Sequence, residues 1–150
     1  MELQNIWIGL ERTMEQNGVE QIDFPAEDYL PLKDYGAWRV AVLKYCANTR
    51  LENIDWMQKH LETDEVFVLL QGNCTLLIAG KDEIPGNVRT IEMEPHRIYS
   101  IKKGHWHNHV LDEEGEVLIV ENRDTSDDNS PVYHMNDEEI MRMRSAVNHL

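Results

Sequence analysis

Two stretches hold the residues best suited to chemistry. His60 and Glu65 bracket the short segment Leu61-Glu62-Thr63-Asp64 and lead into the apolar, β-prone run Val66 to Leu70, which closes on a turn at Gln71-Gly72-Asn73. An imidazole and a carboxylate are both donors for a divalent transition metal. Side chains alternate along a strand with period two, so the pair can face one way if a short turn between them resets the phase. The second stretch, Gly104-His105-Trp106-His107-Asn108-His109, puts three imidazoles at alternate positions. On a strand they line one face. The chain carries no nucleophile elbow, Walker loop or dinucleotide fingerprint, which disfavours triad hydrolases, P-loop enzymes and Rossmann oxidoreductases.

The elements that must position these residues read as mostly β. Strands are expected at 37–45, 54–60, 65–70, 74–79, 97–101, 106–111 and 117–121, from their β-branched and aromatic content. Turn residues at Gly72-Asn73, Pro85-Gly86-Asn87, Lys103-Gly104 and Glu114-Gly115 separate them. Such close succession leaves no room for helical crossovers and points to an all-β sandwich, barrel or jelly roll. Between 54 and 60, alternation places Ile54, Trp56, Gln58 and His60 on the inward face. Leu3, Ile6, Trp7, Leu10 and Met14 recur at helical spacing, with Asn17-Gly18 as the stop, and predict a short N-terminal helix. Phe24-Pro25 to Gly36 reads as an irregular connection, and the polar tract Asp124 to Pro131 as a loop. Asn136 and Glu139 have the spacing of a capping box, and Ile140, Met143, Val147 and Leu150 share a helical face. A C-terminal helix packed on the barrel exterior follows.

At 150 residues the chain suits one domain: an N-terminal helix, loop and strand over 1–53, a barrel core over 54–121, and the acidic loop and last helix over 122–150. The net charge of -14, with no basic cluster larger than Lys102-Lys103, argues against nucleic acid as a partner. Cys46 and Cys74 lack the paired spacings of zinc or redox motifs and read as buried or neutral thiols. The N-terminus has no basic region followed by an apolar one, and no apolar run is long enough to span a bilayer. No membrane partner and a cytoplasmic location are therefore expected.

The stretches around His60 and Gly104 resemble the two signature motifs of the cupin superfamily, over roughly residues 54 to 121. In the first motif the chain supplies the second His as His60, the Glu as Glu65 and the closing Gly as Gly72; in the second it supplies Gly104 and His107. Thr63-Asp64-Glu65-Val66-Phe67 also looks like a small single-domain bacterial cupin. There are departures: Gln58 stands at the first His, Glu52 and His96 at outer glycines, Lys102 at the proline and Leu111 at the asparagine. The resemblance implies a jelly-roll β-barrel and a metal held by His60, Glu65 and His107, a two-His, one-carboxylate set with open positions. Gln58 could add a carbonyl oxygen, or His109 a fourth ligand from the same strand face. Fe, Mn, Ni and Zn all suit these donors.

On that resemblance the expected protein is a small metal-binding cupin with a pocket for a small polar metabolite, such as a hydroxy acid, a keto acid or a sugar derivative. Isomerase-like, lyase-like or dioxygenase chemistry is open to it, with His109 or His105 moving a proton. Trp56, Tyr99 and Trp106 are candidates for the pocket wall, and Arg39, Arg97 and Lys102 for a carboxylate clamp. His96, His134 and His149 are expected at the surface. A non-catalytic binding or sensing module, favoured by Gln58, is the alternative. The resemblance also implies a homodimer.

Overall fold

The computed structural model describes residues 4–8, 11–24 and 28–148. Among these, strands run in chain order as β1 (Gln4–Ile8), β2 (Glu11–Gln16), β3 (Val19–Ile22), β4 (Tyr29–Tyr35), β5 (Trp38–Lys44), β6 (Trp56–Gln58), β7 (Glu65–Gln71), β8 (Cys74–Ile78), β9 (Arg89–Glu92), β10 (Ile98–Ile101), β11 (His107–Leu111), β12 (Glu116–Asn122) and β13 (Val132–His134). One α-helix, α1 (Asp137–Asn148), follows them. Two five-stranded antiparallel sheets make the body, in the orders β10-β7-β12-β5-β4 and β13-β6-β11-β8-β9. No described helix is long and apolar enough to cross a membrane.

The strands form where β-branched and aromatic residues alternate, and the alternation divides the chain between two cores. Phe67, Leu69, Val117 and Ile119 of the first sheet pack against Cys74, Leu76 and Leu111 of the second. Leu77, one residue on from Leu76, faces the other way. It joins Met57, Trp106 and Met143 in a second cluster beneath α1. The helix is capped as expected: Asn136 Oδ1 accepts the Glu139 N–H at 2.9 Å, and Glu139 Oε2 accepts the Asn136 N–H at 2.8 Å. The result is a jelly roll with a helix laid on the outer face of one sheet. Its core reaches beyond 54–121, since β5 lies between β12 and β4 inside the first sheet.

Two expectations are corrected. Instead of an N-terminal helix, the chain forms β1 and β2, which join β3 in a three-stranded antiparallel sheet. The reason lies in Asn17-Gly18, where φ is 54° and 77°. Two successive positive φ values make the tight turn of a two-residue hairpin, and the same dipeptide also ends helices. Leu3 and Leu10 of the proposed helical stripe lie outside the described residues. The irregular connection expected up to Gly36 contains β4, whose Pro31 sits at a break in register with β5. Because β4 is the edge strand of its sheet, a proline is tolerated there.

The turn between β7 and β8 depends on a glycine. Gly72 has φ of +65°, and a Cβ there would meet the Glu114 carbonyl carbon and lie 2.5 Å from the Gly115 nitrogen. Asn73 holds the same approach by donating its N–H to Asp112 Oδ1 at 3.0 Å. Gly72→Ala is expected to lower unfolding free energy by about 2–3 kcal/mol through crowding and left-handed strain together. Denaturant melts measure this, and an unchanged midpoint would show that the β8 and β12 turns do not need this close approach.

Candidate metal centre

The link Leu61 to Asp64 carries the chain from one sheet to the other, so His60 leaves the end of β6 and Glu65 opens β7. The turn before β11 is clasped to this link. Gly104, at φ +80°, donates its N–H to the His60 carbonyl at 2.6 Å, and Lys103 donates its N–H to Asp64 Oδ1 at 2.8 Å. Pinning the two motif turns together brings His107 opposite His60, with ring centroids 5.0 Å apart. Glu65 lies between them, its Oε2 at 3.2 Å from His60 Nε2 and 3.0 Å from His107 Nε2. All three side chains are buried, and one ligand atom from each lies within 4.8 Å of the others.

The outer nitrogens decide what these groups can do. His107 Nδ1 faces the His105 carbonyl at 2.8 Å, an acceptor, so Nδ1 carries the proton. Ser130 Oγ donates to Asn129 Oδ1 at 3.2 Å and is left to accept from His60 Nδ1 at 2.7 Å. With both Nδ1 atoms protonated, each neutral ring turns an Nε2 lone pair toward one carboxylate oxygen. Three electron-pair donors then converge with no proton among them. A cation satisfies that arrangement, and fixing a ring's tautomer through its other nitrogen is how metal-binding histidines are oriented.

Without a cation the same contacts take up a proton in its place, and the electrostatics describe that state. Burial alone would raise the Glu65 carboxyl, but its bonds to His107 and His60 hold it far below the usual carboxylate range. Burial opposes charging of His60, yet the bond to Glu65 and the charges of Glu65 and Glu121 outweigh it and raise its pKa. Burial drives the His109 imidazole down to about 4, with His107 adding to the effect and Glu65 opposing it. Glu121 is pushed up to about 7, first by burial and then by the Glu65 charge beside it.

A cavity of about 300 Å³ opens in front of the group. Of the residues singled out in the sequence, Trp56, Gln58, His60, Glu65, His109 and Arg39 line it. Gln58 pairs with His107 across β6 and β11, and stands on the cavity face. The His109 Nδ1 is buried without a hydrogen-bond partner. Arg39 is engaged already, its Nε and terminal nitrogen donating to the two Asp34 oxygens at 2.8 and 3.1 Å.

Other candidates sit elsewhere. Trp106 precedes His107, so alternation turns it into the cluster under α1, where its Nε1–H donates to the Asp82 carbonyl at 3.0 Å. Tyr99, His105 and Lys102 line a separate cavity. His105 serves the centre through its backbone carbonyl alone, because the turn at Gly104 puts its ring out of phase with His107. Arg97 is exposed and paired with Glu94 at 2.9 Å. His96 and His134 are exposed, and His149 lies outside the described residues.

Sequence reasoning missed three contributors. Glu121 lines the cavity, and Tyr29 of β4 donates its hydroxyl to Glu121 Oε1. The signal was there: Val117, Ile119 and Glu121 share the inward phase of β12. Ser130 and its neighbours Thr125, Ser126 and Asp127 come from the acidic tract, which covers the cavity. Composition alone marks that tract as a loop and says nothing of where it lies.

No family model and no curated protein matches the chain. Among solved structures, it is similar to a cupin-2 domain containing protein from Shewanella frigidimarina, with 25% identity over 67% of this chain and 85% of the other, at a TM-score of 0.45. It is similar also to the vicilin from Solanum melongena, with 18% identity over 65% of this chain and 25% of the other, at 0.42. A Streptomyces nucleoside dehydratase, solved with uridine, shares 7% identity over 91% of this chain and 88% of the other, at 0.47. The motif likeness required residues remote in sequence to converge between two antiparallel sheets, and His60, Glu65 and His107 do so. The chain folds as a jelly roll of two antiparallel sheets, and its buried His-Glu-His group lies where the two stretches that resemble the cupin motifs meet.

Proposed function

We propose that His60, Glu65 and His107 hold one divalent transition metal and that the cavity before them binds a small polar metabolite through a hydroxyl or carbonyl oxygen. The observation that carries this is the approach of both Nε2 atoms to Glu65 Oε2, at 3.2 and 3.0 Å, while each Nδ1 is paired with another oxygen. When bound, such an ion supplies Lewis acidity and open coordination positions. The chain's own groups do the rest. Trp56 supplies an aromatic wall, Gln58 an amide beside the centre, and His109 an imidazole at the cavity whose buried Nδ1 has no partner. Tyr29 fixes the orientation of Glu121. These groups suit isomerase-like or lyase-like rearrangement of a hydroxy-carbonyl compound, or dioxygenase chemistry if the ion is Fe(II).

A non-catalytic binding module is the second reading, favoured by Gln58 standing where the motif has a histidine. A homodimer belongs to the same proposal, with exposed Ile91 and Ile98 on the outer strands β9 and β10 giving a face that a second copy could cover. So does a cytoplasmic location, which suits two free cysteines.

Elemental analysis of protein purified without an affinity tag tests the function. Close to one divalent ion per chain is expected, with a higher melting temperature on adding the preferred ion to stripped protein. Substoichiometric metal and no thermal gain would leave the binding module as the better account.

A further inference from the structure

The cavity lining has an unbalanced charge. Asp28, Glu65, Glu121 and Asp127 all line it, and Arg39 is the one Lys or Arg among the lining residues. That guanidinium is neutralised by Asp34 through two hydrogen bonds. Among the described residues no ion pair neutralises Glu121 or Asp127. Even with a divalent ion counted at the centre, carboxylates outnumber the positive charges. Of these, Glu65 and Glu121 are buried and Asp28 and Asp127 exposed, and carboxylates buried close together are costly unless a positive group joins them.

A second observation concerns hydrogen bonding. The Tyr29 hydroxyl donates to Glu121 Oε1, and the Glu121 carboxyl also lies against that of Glu65 in the cavity wall. The buried His109 Nδ1 has no partner, and the Trp56 ring lines the wall. A ligand that brings positive charge answers this lining, and an aromatic side chain nearby favours a cation further.

We propose that the cavity selects a cationic ligand, a protonated amine or guanidinium that also carries a hydroxyl group, with its positive end facing Glu121 and its hydroxyl toward the His60, Glu65 and His107 group. This deepens the metal-site reading and rests on it for the hydroxyl end. It also turns the expectation away from hydroxy and keto acids. A substrate carboxylate would enter against the carboxyl groups of Glu65, Glu121 and Asp127, and a net charge of -14 repels anions before they arrive.

Three small two-carbon probes separate the possibilities: ethanolamine, ethylene glycol and glycolate, which differ in charge and share a hydroxyl. Each is titrated into zinc-loaded and metal-stripped full-length protein, following the Trp56 indole signal by NMR. Ethanolamine is expected to give saturable shifts at least about tenfold tighter than glycolate, and Glu121→Gln or the exposed-loop change Asp127→Asn to weaken it by up to about tenfold. Because the carboxylates do not depend on the ion, ethanolamine should still outbind glycolate in stripped protein. If the chain retains no metal yet keeps this preference, the metal reading fails and the cation selectivity stands. Tighter binding of glycolate, equal binding of all three, no saturable shift with ethanolamine, or ethanolamine binding indifferent to both substitutions would overturn the inference.

Discussion

Glu65→Gln is expected to abolish metal retention while leaving the stripped protein as stable as the parent, or more so. The carboxylate is the single anionic ligand of the proposed set, and its Oε2 sits 3.2 and 3.0 Å from the two imidazole nitrogens. An amide keeps the shape but removes the charge that draws a divalent cation, so affinity should fall by about a hundredfold or more. Without metal, the amide NH2 can donate to lone pairs that in the parent face another acceptor. Elemental analysis and calorimetry with and without chelator read both halves. Full metal content in the variant would remove Glu65 from the coordination sphere. A variant that cannot fold would show instead that the carboxylate is a structural hydrogen-bond acceptor.

Phe67→Ala should cost about 3–5 kcal/mol of folding stability, the usual range for emptying a fully buried aromatic position. Phe67 is 0% exposed and lies two residues beyond Glu65 on the same face of β7. Its ring is 6.0 Å from that of His109, so it packs beneath the cavity as well as at the centre of the first core. Chemical denaturation in the presence of chelator isolates the packing loss from any metal contribution. A loss below about 1 kcal/mol would mean that the cluster collapses readily around the vacancy.

Much of this architecture was legible because inward and outward residues alternate cleanly in β7 and β12. His60, Glu65 and His107 were legible because a strand-opening carboxylate and a glycine turn beside imidazoles leave little choice of placement. The N-terminal strands were not, since a helical stripe and an Asn-Gly pair fit a hairpin equally well until tertiary partners decide. Edge strand β4 was hidden by Pro31, a residue that argues against a strand unless its edge position is known. Trp106 was misplaced toward the pocket although the period of two that positions His107 inward turns its neighbour outward. Glu121 escaped notice through its type: an acidic residue at a strand end reads as solvated, and only the pairing of β12 with β5 and β7 shows that it is enclosed.

His107 belongs to one sheet of the jelly roll, His60 leaves that same sheet, and Glu65 opens the other. A cation gripped by all three would act as a rivet through the two layers. Delamination of the barrel would then require breaking coordinate bonds as well as parting apolar surfaces, and the two layers could not melt one before the other while the rivet held. Filling the centre would thus set how long the folded chain survives, apart from any reaction performed there.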